Sequence, residues 1–287
     1  MTEYLYYLLP WEFGLSWLVF CVGGLWLYYR GLVRRRARGI APGVWRPLAF
    51  TVGMVGIYAV SQTHYDYLAQ YMFFTHRIQH LVMHHAAPFL IALSVPWPVL
   101  ASGLPEWRVP AGVSKPAMAL LRGLYRVLQN PVLAPVLFVG LIYFWLIPSV
   151  HFDAMLSRWL YDVMNWSMVI DGILFWWLML DPVTTKGGLA RLGFGARLVI
   201  LWLVMVPQIA LGAYIALSDR VLFDVYAVCG RAWPLAPLTD QQIGGLVTWI
   251  PAAMMSVLGI LVLIGYWLAG RGDDRAPAAG LTTTEGA

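Results

Sequence analysis

Residues 198–217 read LVILWLVMVPQIALGAYIAL, twenty consecutive positions without a charged side chain. About 20 apolar residues of helix cross the ~30 Å hydrocarbon core of a bilayer, so this run constrains the chain more than any other feature. In lipid the backbone must satisfy its own polar groups, which leaves helices or a closed barrel. Barrel strands alternate in polarity over about ten residues, and this run does not alternate. Comparable runs fall at about 13–29, 47–62, 74–100, 131–147, 163–180 and 243–269, with the quoted run inside a segment of about 196–217. Only 11% of residues are charged, against about 25% in soluble domains. The expected fold is therefore all-α: a polytopic integral membrane protein with seven transmembrane helices. Residues 1–270 are expected to form one domain in the bilayer, and the polar stretch 271–287 a disordered cytoplasmic tail.

The basic residues set the expected orientation. Of the 19, fifteen fall on alternate connections and the tail, while only Arg77, Arg158, Arg220 and Arg231 fall on the opposite side. The positive-inside rule puts the N-terminus outside and the C-terminus in the cytoplasm. The basic excess thus reports orientation and does not suggest nucleic acid. No basic region precedes the first apolar run, so that run reads as a span and not as a cleavable leader. Cys21 lies inside an apolar run and reads as a small buried hydrophobe; Cys229 reads as a free thiol in a polar loop. Neither forms a pair at metal-ligand spacing.

Against this apolar background, residues 76–85 read HRIQHLVMHH and hold four of the six histidines. His76, His80 and His84 follow i, i+4, i+8 and share one helix face. His80 and His84 would lie about 6 and 12 Å deeper than His76 at 1.5 Å per residue. His64 and His151 fall near other outer span ends, so all six histidines lie on the outer side. Imidazoles at i, i+4 can chelate one metal ion, and imidazole suits zinc, copper, iron and nickel. Polar groups in a span are costly and usually face the bundle interior for a purpose. The blander reading makes each histidine a hydrogen-bond partner for a neighbouring helix. Gln79 flanks the stripe and could hydrogen-bond a ring nitrogen, the support metal-bound histidines usually have. On the fifth run, Met164, Met168 and Asp171 share a face bordered by Asn165. Thioethers favour Cu(I), although methionine is also ordinary core material.

Several functions are compatible with this pattern. A desaturase-like diiron site needs more histidines, on the cytoplasmic face. A membrane haem protein could pair His80 or His84 with His64 or His151, or use one His and one Met. A metal transporter would need polar groups through the whole membrane, and the inner half is nearly bare of them. A metal-holding assembly factor needs only an outward His/Met site and no catalytic base, so no enzymatic activity is expected.

HRIQHLVMHHAAPFLIALSVPWPVL resembles the HxxQH…PxLLxLxxP signature of the seven-span CtaG-type cytochrome c oxidase assembly factors, a family distinct from the single-span copper chaperone of the same name. GILFWWLMLDP, GARLVILWLVMVPQIALGAYI and DQQIGGLVTWIP resemble its later spans, and the likeness covers roughly 45–270. The resemblance implies a multi-pass protein of the bacterial inner membrane that helps to mature the oxidase, at a copper centre. Its partners would be an oxidase subunit or other oxidase assembly proteins, with a homodimer left open. His76 and His80 match the family's histidine pair. The chain departs from the pattern at His84 and His85, where methionine or an apolar residue is expected. It also has Asn165 and Leu146 where histidines are expected, with His151 a few residues later. The expected ligands for copper, Cu(I) favoured, are therefore His76, His80 and His84, with His64, His85, His151, Met164 and Met168 in reserve. Gln79, Asn165 and Asp171 are the expected polar support.

Overall fold

The computed structural model describes residues 13–40, 43–105, 111–181 and 192–273, which are mostly helical with no strand among them. In chain order the helices are α1 (Leu15–Arg36), α2 (Trp45–Gln62), α3 (His64–Tyr71) and α4 (Phe73–His80). A π-helical segment (Leu81–Ala86) leads into α5 (Ala87–Leu93) and α6 (Trp97–Gly103). Then come α7 (Ala111–Leu128), α8 (Leu133–Trp145), α9 (Pro148–Leu156), α10 (Arg158–Leu180), α11 (Phe194–Ala216), α12 (Val225–Val228) and α13 (Pro237–Asp273).

Four helices are long and apolar enough to cross a bilayer: α1, α10, α11 and the Pro237–Ala269 part of α13. Two bent pairs raise the number of candidate spans to six. One is Phe73–Leu93 followed by α6 at 78°; the other is Ala117–Leu128 followed by α8 at 76°. Helix α2 carries Arg46, Thr51, Ser61 and Gln62 within 18 residues and falls short of that apolarity. The protein is thus a multi-pass helical membrane protein with four to six candidate spans where seven are expected. α13 continues to Asp273, three residues into the expected tail. Residues 274–287 lie outside the described residues, as do Arg108, Lys186 and Arg191 of the basic connections.

The third expected span is not one straight helix. After the π turn and α5 the chain bends at Ser94–Pro96, where Val95 has φ 50°, a left-handed conformation seldom taken by a β-branched residue. Pro96 disfavours the helical region for the residue before it and offers no N–H, which stops the helix here. Segment α6 then folds back on α1. A Cβ on Gly31 would sit 1.9 Å from the Val99 carbonyl oxygen, and one on Gly103 2.0 Å from that of Leu27, so the crossing needs both glycines. Arg34 donates to the carbonyls of Ser102 and Leu104 at 3.1 and 3.0 Å. Part of the first basic connection therefore satisfies carbonyls that the end of α6 leaves open.

The glycine pair of DQQIGG sits at two close helix crossings. A Cβ on Gly245 would meet the Ala216 backbone nitrogen at 2.4 Å, and one on Gly244 would meet Phe73 Cδ1 at 2.3 Å. Helix α13 thus lies tightly against α11 on one face and against the start of α4 on another. Cys21 is buried and Cys229 exposed, and both are free.

Candidate functional site

The α4 rod packs against α13 and α3, and its side chains bond to α10 and the end of α2. Its start follows an extended Met72, so its first N–H groups have no partner within the helix. Asp240 supplies one from 167 positions away: its carboxylate accepts from Phe73 N at 3.0 Å and Phe74 N at 2.8 Å. Arg231 pairs with the same carboxylate, and Asp240 is fully buried. An anion at a helix N-terminus is favoured by the helix dipole. Asp240 lies in the first turn of its own helix, α13, yet it caps α4 and so fixes the rings that α4 carries.

One turn into α4 three imidazoles converge. The His76 ring centroid lies 4.3 Å from that of His80 and 5.1 Å from that of His151 on α9. All three side chains are at most 1% exposed. His80 Nε2 donates to Asn165 Oδ1 at 3.1 Å, which leaves Nδ1 with a lone pair and no partner. His76 has neither ring nitrogen in a hydrogen bond; the Ala69 carbonyl approaches the ring without meeting hydrogen-bond geometry. Buried polar atoms without partners are uncommon and call for an explanation. His151 differs. Its Nδ1 donates to the Trp145 carbonyl at 3.0 Å, so Nε2 must accept, and the Tyr226 hydroxyl donates to it at 2.9 Å. Burial, and then the Arg77 cation, pull its pKa down to about 3, so the ring is neutral at physiological pH.

The expected third ligand, His84, is not in this cluster. The π segment holds more residues per turn than an α-helix and shifts the i+8 position off the stripe. His84 and His85 consequently straddle it and share a second, deeper cluster, with ring centroids 4.9 Å apart. His84 Nε2 meets Asp171 Oδ2 at 3.0 Å, and His85 Nε2 meets Gln208 Oε1 at 3.0 Å. Below them Phe138 stacks on His84 at 4.2 Å and on Phe175 at 3.8 Å, with Trp176 against both phenyl rings. A polar ladder thus ends on an aromatic floor.

The other expected residues sort by contact. Asn165 and Asp171 bond ring nitrogens as their positions suggest. Gln79 does not: its amide donates to the Val60 carbonyl at 2.8 Å and to Asp66 at 2.7 Å, and its oxygen lies 3.0 Å from the Tyr161 hydroxyl. His64 opens α3 and packs on Tyr67 at 5.7 Å. Met164 and Met168 are fully buried in the same apolar cluster as Phe73, Tyr161 and Tyr226, the side chains around His76 and His151. Among the described residues no group of three or more His, Cys, Asp or Glu side chains is arranged to hold a metal ion. What the site offers is a buried pair of imidazoles with nitrogen lone pairs to spare.

A family model described as cytochrome c oxidase caa3 assembly factor matches residues 26–270. The chain belongs to this family. Two curated relatives, uncharacterized proteins of Mycobacterium bovis and Mycobacterium tuberculosis, are each 25% identical over 264 residues. The match takes in 88% of the chain, which spans only 38% of the length of these relatives. No solved structure matches. In this family member, Tyr226 and Asp240 are site residues that the sequence alone does not reveal. Tyr226 lies in the four-residue helix α12, too short to show a pattern in sequence, and Asp240 acts on a helix 166–167 positions away. Replacing Tyr226 with phenylalanine leaves His151 Nε2 buried without a donor. It is expected to cost about 1–3 kcal/mol, read as a lower unfolding temperature in detergent.

Proposed function

We propose that this family member holds copper, as Cu(I), at His76 and His80 and hands it to an oxidase subunit or another oxidase assembly protein during assembly. The observation that carries the reading is the buried imidazole pair whose rings touch while His76 Nδ1, His76 Nε2 and His80 Nδ1 have no hydrogen-bond partner. Cu(I) is satisfied by few, soft or imidazole donors, and Met164 and Met168 lie in the surrounding cluster. Asn165 supports the idea further, because metal-binding histidines usually donate the other ring N–H to an oxygen acceptor. His151 already directs its lone pair to Tyr226 and would become a third ligand only if that hydroxyl turned away.

In this reading the chain crosses the membrane seven times, with α2 as the least apolar crossing and the N-terminus outside. The alternation of basic connections supports that orientation. Holding and transfer involve no turnover, so the protein is not an enzyme. The aromatic floor of Phe138, Phe175 and Trp176 favours holding over transport, because a transported ion would need polar groups on the far side of it. A haem is disfavoured because His76, His80 and His151 are in mutual contact or buried against each other, with no slot for a flat macrocycle between them.

The test is oxidase maturation in the source cell. Deleting the gene should lower cytochrome c oxidase activity, and the wild-type gene should restore it. A His76→Ala/His80→Ala variant, inserted in the membrane at normal level, should not. Full rescue by that variant would leave a scaffolding role and remove the copper role.

A further inference from the structure

The connection between the third and fourth expected spans contains helix α7. From Ala117 to Leu128 its two arginines lie opposite its most exposed apolar side chain, with Met118, Leu121 and Tyr125 on the flank between. Arg122 and Arg126 are four apart and share one face, while Leu120, Leu124 and Val127 share the opposite one. In the sequence Lys115 precedes Arg122 by seven residues, about two helical turns. The apolar face is not covered by protein: Leu120, Leu124 and Val127 are 74, 53 and 55% exposed. Such a face turned to water would be unusual for so apolar a helix. Arg122 and Arg126 form no ion pair among the described residues.

Two further observations place the helix in depth and direction. It meets α8 at 76°, so if α8 runs along the membrane normal α7 lies close to the membrane plane. The elbow between them is anchored, because Gln129 Nε2 donates to the Leu174 carbonyl of α10 at 2.8 Å. Leu174 lies seven residues before Asp181 at the end of α10, about 10 Å at 1.5 Å per residue. Interfacial helices bury their apolar face about 5–10 Å into the boundary between headgroups and acyl chains. A broken span is the competing geometry, and it would drag Arg122 and Arg126 into hydrocarbon without partners.

The geometry points to α7 as an interfacial helix that lies on the bilayer surface, with Arg122 and Arg126 binding anionic lipid headgroups and Leu120, Leu124 and Val127 in the acyl boundary. The side is that of the Asp181 end of α10, where the basic connections cluster, and the inner leaflet of a bacterial membrane supplies such headgroups. The helix would fix the height of α8, and through it the Phe138 floor, against the lipid surface. This inference does not depend on copper.

The test uses full-length protein reconstituted in phosphatidylcholine vesicles with and without phosphatidylglycerol. Cysteine replaces Ala119, Leu120 or Leu124, one at a time, in a Cys21→Ala/Cys229→Ser background. Spin labels at Leu120 and Leu124 should be accessible to lipid-dissolved oxygen, and one at Ala119, beside the arginine face, to an aqueous nickel chelate. A fluorophore at Ala119 should be quenched by brominated phosphatidylglycerol about fivefold more than by brominated phosphatidylcholine. An Arg122→Gln/Arg126→Gln variant should lose that preference. Water access at all three positions, as for a helix that faces a soluble protein partner, overturns the proposal. So does oxygen access at all three, as for a broken span, or a lipid preference that survives the double substitution.

Discussion

Replacing Asp240 with alanine is expected to destabilise the protein by about 3–5 kcal/mol, the range for breaking a buried ion pair from one side. The carboxylate has three partners at once: Phe73 N, Phe74 N and the Arg231 guanidinium. Removing it leaves two N–H groups at the start of α4 without an acceptor and a cation without its counter-charge. Arg231 retains some access to water, 14% of its side chain, which keeps the cost toward the lower end. Asparagine should cost less, because its amide oxygen can still accept one of the two N–H groups. Thermal unfolding in detergent checks both variants. Arg231→Gln, which leaves both caps in place, should fall well short of Asp240→Ala. If Asp240→Ala unfolds at the wild-type temperature, α4 is not held by this carboxylate.

The second large effect is expected at Gly172, one residue beyond Asp171 on α10. A Cβ there would lie 2.4 Å from the His84 carbonyl oxygen and 3.0 Å from its Cα. Those are backbone atoms of the π segment, which cannot turn aside as a side-chain end could. Alanine must push α10 away from the histidine-bearing rod, at a cost of about 1–3 kcal/mol for overpacking a tight contact. Valine should cost more. The displacement also stretches the 3.0 Å contact between His84 and Asp171 and the 3.1 Å bond between His80 and Asn165. Gly172→Ala should therefore lower both unfolding temperature and copper retention. Gly140, whose Cβ would meet nothing within 4 Å, is the control position and should change neither when replaced by alanine.

Much of this arrangement is written in local sequence. Apolar runs marked where helices lie, because burial in lipid leaves few alternatives. The i, i+4 spacing of His76 and His80 was enough to bring their rings together, since both lie within regular α-helix. The same arithmetic failed at His84, where the helix widens into a π turn that no side-chain period announces. Long-range features were invisible for a different reason. Asp240 reaches α4 across most of the chain, and His151 joins His76 only because α9 folds over that end of the bundle. Those partnerships depend on helix placement, which a single sequence does not specify. Helix α7 was legible in principle: Arg122 and Arg126 opposite Leu120, Leu124 and Val127 form a clear 3.6-residue pattern.

The most direct measurement is anaerobic Cu(I) loading of the purified full-length protein, followed by metal analysis and X-ray absorption. The imidazole pair predicts bound copper with nitrogen scatterers in the wild type. It predicts loss of that copper in His76→Ala and in His80→Ala, and retention in His84→Ala, whose ring belongs to the deeper cluster with Asp171. Equal copper in the wild type and in a folded His76→Ala/His80→Ala variant would contradict a metal site at this pair.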